Sequence, residues 1–173
     1  MFRVLIISTG GTIEKTYCEL QGVLANNVSV LDVMLASLET RGVTISRRAL
    51  MNKDSLEMSV SDHQLIVEAV VAGATDHDGI IVVHGTDRLA VSGEAISARW
   101  KQSDAPSIPV VLTGAMRPYE LRRTDAVQNL TEALLAVQIL PAGVYAVLHN
   151  QVLAFPGVTK DAQHGTFVAA QKR

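Results

Sequence analysis

Four polar segments stand directly after hydrophobic runs in this chain: Ser8-Thr9-Gly10-Gly11-Thr12, His84-Gly85-Thr86-Asp87, Thr113-Gly114-Ala115-Met116-Arg117-Pro118 and Val158-Thr159-Lys160-Asp161. Together they offer hydroxyls, a carboxylate, a lysine and backbone N–H groups. Amide hydrolysis needs the same set, an activated oxygen nucleophile, a proton for departing ammonia and donors for a developing oxyanion. Thr12 follows two adjacent glycines, which let the backbone approach a ligand closely. A tight strand-to-helix turn would use the same residues. A phosphate loop is excluded, because no glycine follows until Gly22 and both G-x-G-x-x-G and Walker spacings fail. Thr86-Asp87 reads either as a helix cap or as a polar pair beside N–H groups that receive a substrate carboxylate. Arg117 reads as a structural tie from its loop to a carboxylate such as Asp125. Lys160 reads either as a solvated surface lysine or as a proton-shuttling group beside Thr86 and Asp87.

The elements that must carry these segments are legible in the hydrophobic pattern. Val4 to Ile7 is a short aliphatic run ended by glycines, the mark of a buried parallel strand. Gly79 to Val83, Pro109 to Leu112 and Gly143 to Leu148 repeat it, separated by stretches of helical period. Ser29 with Asp32 and Ser61 with Gln64 have capping-box spacing, Thr124 and Asp125 precede a third apolar helical pattern, and Gly42 and Gly73 stand as stops. The fold class expected is α/β, a doubly wound and mostly parallel sheet with helices on both faces, in a single domain. Its cleft should lie at the carboxyl ends of the strands. Glu14 to Asn27 is the one long irregular stretch, of a length that suits a lid.

Composition narrows the function classes. A chain of 173 residues with 48% hydrophobic content is long enough for one core. Its 15 basic and 17 acidic residues nearly cancel, and with one Trp and three Phe there is little to stack bases, so no nucleic acid partner is expected. Cys18 is the only cysteine, which rules out an intrachain disulfide. The apolar run after Arg3 is too short for a secretory segment or membrane span, so a cytoplasmic protein with no membrane partner is expected. His63, His77, His84, His149 and His164 show no H-x-x-x-H or H-x-H spacing. No metal site and no cofactor are expected.

Read together and in order, STGGTI at 8 to 13, HGTD at 84 to 87, TGAMRP at 113 to 118 and VTK at 158 to 160 resemble the amino-terminal domain of the bacterial L-asparaginase family, which also includes asparaginase-like amidotransferase subunits. The resemblance spans nearly the whole chain, 1 to 173, and implies a form lacking the family's usual carboxyl-terminal domain. It implies that Thr12 is the nucleophile, that Tyr17 on the following loop is the lid tyrosine, and that Thr86, Asp87 and Lys160 form a second catalytic cluster. Ser55 in Asp54-Ser55-Leu56-Glu57-Met58 corresponds to the serine that binds the substrate α-carboxylate, and Asp87 to the group that recognises its α-amino group. Arg88 departs from the family, which usually continues HGTD with a second threonine. The implied activity is hydrolysis of L-asparagine to L-aspartate and ammonia through a covalent acyl-threonine, by a homo-oligomer. A non-catalytic aspartate or asparagine sensor and an ammonia-donating amidotransferase subunit are the alternatives.

Overall fold

The computed structural model describes residues 1–102 and 107–170. Its strands are β1 (Phe2–Gly10), β2 (Thr16–Cys18), β3 (Val23–Ala25), β4 (Val43–Lys53), β5 (Gly79–Val83), β6 (Pro109–Thr113), β7 (Gly143–Leu148), β8 (Gln151–Ala154), β9 (Val158–Asp161) and β10 (Thr166–Ala169). Four α-helices intervene, α1 (Leu31–Ala36), α2 (Val60–Gly73), α3 (Leu89–Trp100) and α4 (Ala126–Ile139). Six strands form the main sheet in the order β4-β1-β5-β6-β7-β8. All neighbours in it are parallel except β8, which returns antiparallel along β7.

Alternation along β1 shows how the two faces are filled. Val4 and Ile6 face one core with Leu31 and Met34 of α1 and Leu130 and Val137 of α4. Leu5 and Ile7 face the other, with Ile66 and Val70 of α2 and Leu89 and Ile96 of α3. Successive side chains of a strand point to opposite faces, so a continuous aliphatic run is what a doubly covered strand requires. This is the doubly wound sheet expected from the sequence, and β1, β5, β6 and β7 contain the four runs read as strands.

Several local expectations are corrected. Ser29 and Asp32 form no capping box; α1 starts after Val30, and the Ser29 hydroxyl donates to Glu14 instead. The box on α2 is Ser59 with Asp62, two residues before Ser61 and Gln64, because the Asp62 carboxylate also accepts from the Ser59 N–H. Gly73 is the last residue of α2, at the stop expected, and a Cβ there would stand 2.3 Å from Leu5 Cδ2, so it serves helix-to-strand contact as well. Gly42 lies in the turn before β4, well past the end of α1. The stretch 14–27 is not wholly irregular, since β2 and β3 pair as a small antiparallel hairpin within it.

Ile6 is fully buried in the central part of the sheet. Ile6→Ala is expected to cost about 2–5 kcal/mol, the range for truncating a well-packed aliphatic side chain. Chemical denaturation with an unchanged slope reads it; a loss under about 0.5 kcal/mol would mean that the face is loosely packed.

Candidate active site

β1, β5 and β6 end side by side, and their polar extensions meet there. Three glycines permit the contact. A Cβ on Gly11 would stand 2.3 Å from Gly85 Cα, one on Gly85 would stand 2.6 Å from Ser55 Oγ, and one on Gly114 would stand 2.2 Å from the His84 carbonyl oxygen. Gly11 also has φ 79°, a value that side-chain-bearing residues rarely adopt. Thr12 and Thr86 are the next residues after the touching pair Gly11 and Gly85, so both leave the backbone from one place in the cleft. The Thr9 hydroxyl reinforces the junction by donating to the Val83 carbonyl at 3.0 Å.

Lys160 reaches this place from the β9–β10 hairpin. Its Nζ donates to Thr86 Oγ1 at 2.9 Å and to Asp87 Oδ1 at 2.8 Å. The surface reading of Lys160 is therefore overturned, as is the reading of Asp87 as a helix cap: α3 begins after Arg88 with no side-chain cap. Ser55 is buried at the start of a short 3₁₀ turn, capped when Asp54 accepts from the Leu56 N–H at 3.1 Å, and its hydroxyl accepts from the Arg88 N–H at 3.4 Å. Arg88 itself turns away, with its guanidinium donating to the Met58 carbonyl at 3.4 Å.

Thr12 opens a 3₁₀ turn, Thr12–Glu14, and its hydroxyl takes part in no hydrogen bond among the described residues. Tyr17 is not brought to it. The ring sits on the β2–β3 hairpin, 58% exposed, paired across the strands with Leu24. The hairpin is tied down at its far end, where Asn26 Nδ2 donates to the Gly11 carbonyl at 2.8 Å and Asn52 Nδ2 donates to the Asn26 carbonyl at 3.1 Å.

Two buried carboxylates support the site, of which Glu14 was not read from the sequence and Asp125 was read only as a partner of Arg117. Glu14 is almost fully buried beside the Ser29 hydroxyl and the Gly10 N–H, with Arg47 nearby; burial is the largest influence and pushes its carboxyl up from the ordinary 4.5. Asp125 accepts from the N–H groups of Met116 and Arg117 at 2.9 Å each, from Asn129 Nδ2 at 3.0 Å and from His149 Nε2 at 2.8 Å. The tie expected between Arg117 and Asp125 exists, but the backbone makes it; the guanidinium stands 3.7 Å away and is half exposed. Burial alone would raise the Asp125 pKa, yet the bonds from Met116, His149 and Arg117 outweigh it and hold the carboxyl below its ordinary 3.8. Among the described residues no group of three or more His, Cys, Asp and Glu is placed to hold a metal ion.

Fold and site together define an α/β protein with a hydroxyl, lysine and carboxylate cluster at the carboxyl ends of parallel strands. The chain belongs to the asparaginase family, matching the description "Asparaginase, N-terminal" over residues 3–169. It is 31% identical to an L-asparaginase from Thermococcus kodakarensis over 158 residues, which is 91% of this chain and 47% of that one. It is 32% identical to a glutamyl-tRNA(Gln) amidotransferase subunit from Aeropyrum pernix, covering 95% of this chain and 40% of the relative. The structure of the thermostable Thermococcus kodakarensis L-asparaginase superposes with a TM-score of 0.87, covering 99% of this chain and 52% of that one. A probable cytoplasmic L-asparaginase from Campylobacter jejuni is also similar, at 25% identity and a TM-score of 0.77, with 98% and 52% covered. This chain thus spans about half the length of the asparaginases it matches.

A carboxyl whose folded pKa is depressed adds stability above its unfolded pKa and loses it as pH falls through the folded value. Asp125→Asn is therefore expected to cost about 1–3 kcal/mol at neutral pH and to flatten the acid limb below about pH 4. Thermal midpoints of both proteins across the acid range measure this; parallel curves would show that Asp125 does not set acid stability.

Proposed function

We propose that residues 1–173 are a catalytic unit that hydrolyses L-asparagine to L-aspartate and ammonia, with Thr12 as nucleophile. The observation that carries the reading is the bonding of Lys160 to Thr86 and Asp87 beside the Gly11–Gly85 contact, because it gathers a proton carrier, a hydroxyl and a carboxylate next to Thr12. The Thr12 oxygen attacks the side-chain amide carbon, backbone N–H groups after β5 receive the developing oxyanion, and a proton delivered in the cleft leaves with ammonia. The resulting acyl-Thr12 ester is hydrolysed by water activated at the Thr86 hydroxyl and Lys160. Asp87 uses Oδ1 for Lys160, while Oδ2 takes part in no hydrogen bond among the described residues and in this scheme receives the substrate α-ammonium. Ser55 binds the α-carboxylate. Tyr17 serves as a lid group only if its hairpin moves inward, since its phenol makes no hydrogen bond to Thr12 here.

The same proposal includes a cytoplasmic setting, in keeping with the name of the Campylobacter jejuni relative, and a homo-oligomer, in keeping with exposed Leu135, Ile139 and Val152. No described helix is long and apolar enough to cross a membrane. No cofactor, metal or nucleic acid enters the scheme. A second reading, delivery of ammonia to a partner enzyme, is favoured by the similarity to the amidotransferase subunit of Aeropyrum pernix.

A coupled ammonia assay with asparagine, glutamine and their D-isomers tests the reading, and a requirement for a second protein would favour the alternative. Thr12→Val, which keeps shape and removes the hydroxyl, is expected to abolish turnover at a nearly unchanged thermal midpoint; retained activity would remove Thr12 from the nucleophile role. Lys160→Met should lower kcat by about 100-fold or more with a small change in KM, and a wild-type rate would exclude Lys160 from proton transfer.

A further inference from the structure

A polar chain runs behind the Thr86 loop through three buried side chains that the hydrolytic scheme does not use. His84 is fully buried, with Nδ1 2.8 Å from the Gly85 carbonyl oxygen and Nε2 2.8 Å from Ser92 Oγ on α3. Ser92 Oγ is in turn 2.7 Å from Nδ1 of His63 on α2. The two imidazoles lie nearly parallel, 11° apart, with centroids separated by 6.2 Å. His63 Nε2 is buried and has no hydrogen-bond partner among the described residues.

The identity of the last acceptor fixes every proton in this chain. A carbonyl oxygen only accepts, so His84 Nδ1 carries hydrogen. Burial keeps His84 neutral, lowering its pKa to about 4, so its Nε2 is a bare acceptor and Ser92 must donate to it. Ser92 has spent its one proton, so His63 Nδ1 donates to Ser92, and the unpartnered Nε2 of His63 is a bare lone pair. Burial also lowers the His63 pKa, helped by nearby Arg88 and opposed by Asp62. All donors therefore point one way, from His63 through Ser92 and His84 to the Gly85 carbonyl.

The Gly85 carbonyl belongs to the peptide whose other end is the Thr86 N–H. In a planar trans peptide the two bonds point in opposite directions, so a carbonyl held inward aims the N–H outward. The Thr86 N–H takes part in no hydrogen bond among the described residues, and it stands beside the hydroxyl that receives Lys160.

We propose that His63 and Ser92 are positioning residues for amide hydrolysis, holding the Gly85–Thr86 peptide through His84 so that the Thr86 N–H meets the oxyanion without reorganising. The inference rests on the asparaginase reading for its kinetic consequence and on the hydrogen-bond chain alone for its proton order. A pre-aimed donor acts on the transition state more than on bound substrate, so its loss appears in kcat rather than KM.

The test combines ¹⁵N NMR of the imidazoles with kinetics of Ser92→Ala and Ser92→Thr. In the wild-type protein at neutral pH, His63 and His84 should both show the Nδ1–H tautomer; an Nε2–H tautomer at His84 would overturn the proton order. Ser92→Ala should lower kcat about tenfold or more with KM changed less than about threefold, and Ser92→Thr, which keeps the hydroxyl, should recover most of the rate. A Ser92→Ala protein with a lower thermal midpoint but wild-type kcat would reduce the chain to a structural role and overturn the proposal. Should the wild-type chain release no ammonia, the asparaginase reading fails, while the tautomers still decide the hydrogen-bond chain.

Discussion

Direct backbone contact between the loops that leave β1, β5 and β6 is the constraint on which the rest of this structure depends. Gly11 against Gly85, and Gly114 against the His84 carbonyl, leave no room for a Cβ, so the three loops stack as bare backbone. Parallel neighbours in a sheet lie about 4.8 Å apart, and loops leaving them at one end would splay if side chains stood between them. With the chains in contact, Thr12 and Thr86 follow directly on the two touching glycines and so leave the backbone beside one another. Gly85 extends the same logic to Ser55, whose Oγ occupies the space that a methyl group there would take.

Stacked loops still need their backbone polar groups satisfied, and buried carboxylates and imidazoles do this from behind. Asp125 and Asn129 hold the loop after β6, Asn129 Nδ2 reaching the Gly114 carbonyl at 2.8 Å while its Oδ1 accepts from the His149 N–H at 3.0 Å. Glu14 is buried in the turn after β1 and accepts from the Ser29 hydroxyl. His84 holds the loop after β5 through Gly85. Each support is buried, and Asp125, Asn129 and His84 each bond backbone atoms, an arrangement that costs desolvation but fixes the loops more tightly than surface contacts would. The cleft is thus polar twice over, with one layer facing the substrate and a second layer holding the first.

The sequence displayed the first layer and concealed the second, for physical reasons. Strands buried on both faces read as unbroken aliphatic runs, so β1, β5, β6 and β7 and the motifs at their ends were legible. β4 was missed because it is the sheet's edge, where burial alternates and Arg47 and Arg48 interrupt the apolar pattern. β2, β3, β9 and β10 form two short two-stranded hairpins of three or four residues a strand, too short to carry a clear period. Lys160 stood in a recognisable motif, but its bond to Thr86 spans 74 positions and no local pattern encodes such a distance. His63 and Ser92 gave no signal at all, since a single histidine or serine on a helix looks the same whether it faces water or a buried partner, and His84 was read only as part of the HGTD segment.

Magnitudes indicate what the Lys160–Asp87 pair is for. Its side chains are 22% and 41% exposed, and ion pairs so open to water contribute about 0–1 kcal/mol to stability. Ordering a lysine side chain costs up to about 2 kcal/mol of rotamer entropy, so the pair gains the fold little or nothing. The buried supports behave differently: removing the acceptor that satisfies a buried N–H costs about 1–3 kcal/mol for each group left unpaired. Stability therefore rests more on Asp125 and Asn129 than on the Lys160–Asp87 pair. Of its three donors, Thr86 and Asp87 take two, leaving one without a partner among the described residues.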